Sequence, residues 1–224
     1  MRYIILAALA VVSIIHLYDS WADNPKKRRV TKPYLLILIL LYYVFSRSGL
    51  PISWVLVAAL LTSWLGDVLL MPQGNKWFVA GGISFLISHI LFIVVYAMNV
   101  IKLSFNGVIW WIVAIAAVIY LGIAFVVTRA IKDTTPKAMV APMYLYLIFN
   151  SAMNVFSLMQ LMTYRSPGAV VAYIGAILFF ASDCTLYLVK FHKNKDLIYK
   201  RHFTVMLTYI LGEFLITQGL LMIG

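Results

Sequence analysis

Long apolar stretches separated by short polar segments run the length of this chain. They cover Tyr3–Trp21, Pro33–Phe45, Leu50–Met71, Trp77–Val100, Gly107–Thr128, Ala138–Thr163, Gly168–Val189 and Phe203–Ile223. A helix needs about 20 mostly apolar residues to cross a ~30 Å hydrocarbon core. Every stretch approaches that length except Pro33–Phe45, whose helix rises only ~20 Å. The pattern predicts an all-α integral membrane protein, a bundle of about eight transmembrane helices. No repeat, long linker or low-complexity segment interrupts it, so one transmembrane domain over residues 1–224 is expected.

The basic residues decide whether the short second stretch counts. Lys26, Lys27, Arg28, Arg29 and Lys32 fill the first loop, and Lys190, Lys193, Lys195, Lys200 and Arg201 the seventh. Lys76 lies in the third loop and Arg129, Lys132 and Lys137 in the fifth. Only Arg2, Arg47, Lys102 and Arg165 fall on the other side if all eight stretches cross. Dropping the second crossing erases this bias. Cytoplasmic loops carry the excess of Lys and Arg. The expectation is therefore eight crossings of a cell membrane, with the odd loops in the cytoplasm and both termini outside. The N-terminus has a weak cleavage-like Ser20-Trp21-Ala22, but the cluster Lys26–Arg29 follows at once. A retained anchor is expected rather than a cleaved signal.

Composition agrees: 64% of residues are hydrophobic and 11% charged, against about 25% charged in soluble domains. A net charge of +11 raises the question of nucleic acid. The basic residues sit in runs between apolar stretches, so they read as orientation signals and no nucleic-acid partner is expected. Cys184 is the one cysteine, which excludes an intrachain disulfide.

The chain has 7 acidic residues. Asp19, Asp23, Asp133 and Asp196 lie in or beside loops and are expected to be solvated. Asp67, Asp183 and Glu213 lie inside apolar stretches. An ionisable group there costs ~2.5–3.5 kcal/mol or more unless it finds a partner or a wet cavity. On the expected topology Asp67 lies ~6 Å and Asp183 ~9 Å from the cytoplasmic ends of their helices. Tyr209 reaches a similar depth, Glu213 follows one turn later on the same face, and His89 lies nearer the midplane. These groups are expected to meet in one cavity. Tyr146, Asn150 and Asn154 share a face of the sixth span and serve either that cavity or helix–helix hydrogen bonding. His16 and Asp19 form a pair near the end of the first span that interfacial snorkelling explains. Gly81, Gly82, Gly175 and Gly212 suit close helix packing. Trp54, Trp77, Trp110 and Trp111 suit an interfacial belt.

Metal chemistry finds little support. The 4 histidines are His16, His89, His192 and His202, with no HExxH or paired-cysteine spacing. Ser182 has no GxSxG turn around it and reads as a hydroxyl bonded to Asp183 or to helix backbone. No metal and no other cofactor is expected.

The stretch Trp64-Leu65-Gly66-Asp67-Val68-Leu69-Leu70-Met71 resembles the Gly-Asp motif of the YhhN-like lysoplasmalogenases. Gly81-Gly82-Ile83-Ser84-Phe85, with Ser88-His89 after it, resembles that family's next segment. Gly175 to Asp183, with Phe191 beyond, resembles its second acidic motif. Lys32-Pro33 resembles the Lys-Pro that opens its second span. Tyr209 to Glu213 resembles a Tyr…Gln motif, with Glu213 where the family has Gln. The resemblance runs in order over nearly the whole chain. It implies hydrolysis of the vinyl ether bond of a lysoplasmalogen, a lysophospholipid drawn from the bilayer. The products are a fatty aldehyde and a glycerophospho-alcohol.

The buried residues fit such a reaction. A vinyl ether is cleaved by protonating its β-carbon, which leaves an oxocarbenium ion that water captures as a hemiacetal. That needs a general acid and a second group to direct water. Asp67 and Asp183 are the expected pair, supported by His89, Tyr146, Asn150, Ser182, Tyr209 and Glu213. Lys32, at the interface, is placed to hold the substrate phosphate or serves as one more orientation charge. Two other classes compete: a proton- or cation-coupled transporter, and a metal-dependent membrane lipid amide or ester hydrolase. A lipid-binding protein without catalysis is a further alternative.

Overall fold

A computed structural model describes all residues, Met1–Gly224. Eight α-helices follow one another: α1 (Arg2–Trp21), α2 (Pro25–Ser46), α3 (Trp54–Leu69), α4 (Asn75–Lys102), α5 (Trp110–Ile131), α6 (Lys137–Tyr164), α7 (Pro167–Phe191) and α8 (Arg201–Ile223). A single 3-10 turn, Lys132–Thr134, links α5 to α6. Seven helices are long and apolar enough to cross a membrane, and α3 is the short one. The protein is thus a multi-pass helical membrane protein.

The short helix is not the expected one. The second stretch extends backwards through its basic residues to Pro25, where Asn24 accepts the Lys27 N–H as N-cap and Pro25 occupies a first-turn position. A helix can continue through Lys and Arg beyond the apolar core, because their long side chains carry the charge to water. The third stretch shrinks instead. Pro51 precedes it, Ser53 caps its start, and Leu70 closes it two residues before Pro72. Its 16 residues rise ~24 Å, less than the ~30 Å core. Asp67 consequently sits in its last turn.

Consecutive helices alternate in direction, so the odd loops gather at one end. Trp21 packs on Tyr199 and Phe203 there, and Thr134 donates to the Phe191 carbonyl. At the other end Arg47 donates to the Gly224 carbonyl. Apart from Arg2, Arg47, Lys102 and Arg165, all of the 18 Lys and Arg residues belong to the first end, hereafter the basic end.

Helices α7 and α8 approach most intimately, through glycine. A Cβ on Gly219 would lie 2.4 Å from the Ala172 nitrogen, and one on Gly175 2.5 Å from the Ile216 nitrogen. Lipid tails are as apolar as leucine, so close van der Waals packing of small residues replaces the hydrophobic drive here. Gly81 packs likewise: a Cβ there would lie 2.7 Å from the Leu70 side chain. Gly82 does not: a Cβ there meets nothing within 4 Å. Trp54, Trp77, Trp110 and Trp111 are all exposed near helix ends, as an interfacial belt requires.

Candidate active site

Three local features bring Lys32 and Asp67 together. Pro33 has no N–H to give to α2, and its own carbonyl accepts the Trp64 indole N–H of α3 at 3.0 Å. Thr31, one residue before Lys32, lies 2.7 Å from His16 Nδ1 on α1. These contacts fix the start of α2 against α1 and α3. Lys32 Nζ then reaches Asp67 Oδ1 at 3.1 Å. A carboxylate in the last turn of α3 faces the negative end of the helix dipole, and the ammonium offsets it. The second oxygen, Oδ2, accepts the Tyr209 hydroxyl of α8 at 2.8 Å.

Asp183, on α7, is held differently. Its Oδ2 accepts the Tyr146 hydroxyl and the Asn150 side-chain N–H of α6, each at 2.7 Å. Asn150 is steadied by Asn154, whose side-chain N–H donates to the Asn150 carbonyl at 3.0 Å. His89 Nε2 approaches the same Oδ2 to 3.3 Å, off the line of an N–H bond. The imidazole is fully buried between Phe179 and Tyr146, with ring centroids at 4.9 and 5.1 Å. Asp183 Oδ1 accepts no hydrogen bond.

Both carboxylates border one cavity of about 400 Å³ at the basic end. Tyr209, Ser182, Phe78 and Phe85 complete its inner wall, and Lys32, Lys190, Lys195, Arg201 and His202 its outer part. The inner wall is buried apart from the half-buried Phe78, and the outer part is basic, which suits an anionic group at the entrance.

A model of the YhhN family matches residues 27–220 of the chain. The chain belongs to the YhhN family. That match spans α2 through most of α8 and so contains every residue of the cavity. Comparison with curated proteins and with solved structures gives no match.

The candidate site positions divide into three groups. Asp67, Asp183, Lys32, Tyr209 and Ser182 border the cavity, although Ser182 spends its hydroxyl on the Val205 carbonyl of α8 at 2.9 Å and not on Asp183. His89, Tyr146 and Asn150 stand behind Asp183 and contact it. Glu213 stands apart: it is fully buried, and neither of its oxygens has a hydrogen-bond partner. Asp19 corrects a second expectation. It is buried rather than solvated, at 4% exposure, because the end of α1 is covered within the bundle.

Phe78, Lys190, Lys195, Arg201 and His202 also border the cavity, which no pattern in the sequence indicates. Lys190 looked like an orientation charge only. Its Nζ in fact lies 4.2 Å from the centroid of the Phe78 ring, across the cavity wall. No linear motif joins these two residues, so only their packing identifies them. Among the His, Cys, Asp and Glu side chains, no group of three is arranged to hold a metal ion.

Proposed function

We propose that this YhhN-family protein is a membrane hydrolase that cleaves the vinyl ether bond of lysoplasmalogens. The observation that carries the reading is the shared cavity. Two carboxylates from different helices face one space, each held by its own tyrosine, with lysine at the entrance.

The two acids have unequal surroundings, and this divides their labour. Asp183 Oδ2 is engaged by two donors while Oδ1 is free. A carboxylic acid with its carbonyl oxygen so engaged presents its O–H from the other oxygen. Asp183 is the general acid. Asp67, paired with Lys32 and bonded by Tyr209, is the carboxylate that directs water. The proton of Asp183 goes to the β-carbon of the vinyl ether, and the α-carbon becomes an oxocarbenium centre. Water oriented by Asp67 attacks that centre and gives its proton to the carboxylate pair. The hemiacetal then collapses: its hydroxyl proton passes to the leaving glyceryl oxygen, and Asp183 is left protonated again. One water is consumed, and one fatty aldehyde and one glycerophospho-alcohol are released.

Lys32, Lys190, Lys195 and Arg201 suit the substrate phosphate, since Lys and Arg are the usual phosphate partners. The test is aldehyde release by the purified protein in detergent. Lysoplasmalogen, its ester analogue and a chelator-treated sample are compared. Aldehyde from the vinyl ether alone, undiminished by chelator, is the expected result. Ester hydrolysis that stops in chelator and returns with a divalent ion would replace this reading with a metal-dependent lipid hydrolase. Absence of aldehyde would favour transport.

A further inference from the structure

A second cavity, of about 440 Å³, lies between α4 and α6 at the same end of the bundle. Val79, Ile83, Leu86, Met139 and Met143 give it an almost wholly apolar lining. Between it and the carboxylate cavity lies a small junction of about 10 Å³, bordered by Leu70, Phe78, Gly82, Tyr146 and Asp183. Phe78 borders all three spaces. Tyr146 borders the apolar groove and the junction while donating to Asp183. These shared walls set the basic entrance, Asp183 and the apolar groove along one seam, narrowest at the junction.

The two adjacent glycines of α4 differ in what surrounds them. Gly81 is needed for packing against Leu70, whereas Gly82 faces empty space on the groove side. Glycine costs a helix interior about 1 kcal/mol relative to alanine, and packing does not account for it here. Its missing side chain leaves room where the groove meets the junction.

We infer that this groove holds the hydrocarbon chain of a single-chain phospholipid, which enters sideways between α4 and α6. The inference rests on reading the carboxylate cavity as a lysophospholipid site. Two features select this occupant. The basic entrance complements a phosphate, and one apolar groove continues from it, which suits one chain. A lysophospholipid laid along the seam has its head group at Lys32 and Lys190 and its tail in the groove. The bond between head and tail then lies at the junction, which Asp183 borders.

The experiment uses the full chain in nanodiscs and a saturated alkyl-ether lysophospholipid with a photoreactive group at its tail. This probe has no vinyl ether, so its labelling does not depend on hydrolysis. Label is expected on Val79–Leu86 and Met139–Tyr146, and excess unlabelled lysophospholipid is expected to suppress it. Gly82→Leu fills the open space with a better helix former and is expected to reduce groove labelling about tenfold or more. Gly82→Ala is expected to reduce it less. Thermal unfolding of each variant near the wild-type temperature shows that folding is intact. Labelling spread evenly over the lipid-facing helices, or unaffected by competitor and by Gly82→Leu, overturns the inference. If the groove is labelled but no aldehyde is released from lysoplasmalogen, the groove stands and the proposed reaction falls. If aldehyde is released but groove labelling is absent, the reverse holds.

Discussion

Tyr209 donates its hydroxyl to Asp67 Oδ2 at 2.8 Å, across 142 residues of sequence. The bond joins α8 to the last turn of α3, and both groups are almost completely buried. A buried hydrogen bond to a charged group contributes about 1.5–3 kcal/mol. A double-mutant cycle of Tyr209→Phe and Asp67→Asn, followed by unfolding in detergent, is expected to return a coupling energy of about that size. Additive single effects would mean that the bond contributes nothing to folding.

Asp67→Asn and Asp183→Asn are each expected to lower aldehyde release by about 10²–10⁴-fold at equal amounts of folded protein. That is the usual contribution of a general acid or base. Asparagine keeps the size of the side chain and some of its hydrogen bonds but neither delivers an acidic proton nor accepts one at neutral pH. Near-wild-type rates from both variants would remove these residues from the chemistry and return attention to His89.

Glu213→Gln is expected to leave aldehyde release above the acid–base scale of loss and to hold or raise thermal stability. Glu213 does not border the carboxylate cavity, and its oxygens lack partners. An unpartnered buried carboxyl is costly, and a neutral amide relieves that cost. The YhhN-like motif has Gln at this place. A fall of ~10²-fold or more would make Glu213 a third member of the acid–base set.

The basic end is expected to face the cytoplasm. In a Cys184→Ser background, a cysteine introduced near Lys193 is expected to resist impermeant thiol reagents in intact cells and to react after lysis. A cysteine beside Arg165 is expected to react in intact cells. The opposite pattern would invert the bundle.

The sequence by itself determined the class of protein, its helix count and two of its three buried aspartates, Asp67 and Asp183. Hydropathy is a local property, and a chain of this composition can satisfy its backbone in lipid only as helices. Basic residues likewise cluster beside the apolar stretches without reference to folding, which separated the two ends. Local pattern failed first at helix limits. Apolar length understated α2, because Lys and Arg can extend a helix past the hydrocarbon core, and overstated α3, where Ser53 and Leu70 set the ends. It failed altogether for helix rotation. In lipid the outer and inner faces of a helix are both apolar, so periodicity does not say which side turns inward. Only the tertiary structure decided that Lys32 meets Asp67 and that Tyr146 and Asn150 meet Asp183. It alone turned Ser182 to a backbone carbonyl, left Glu213 unpartnered, and made Gly81 a packing contact while Gly82 stayed open. These outcomes depend on side chains meeting across helices far apart in sequence, where steric fit and hydrogen bonding choose the faces that hydropathy leaves equivalent.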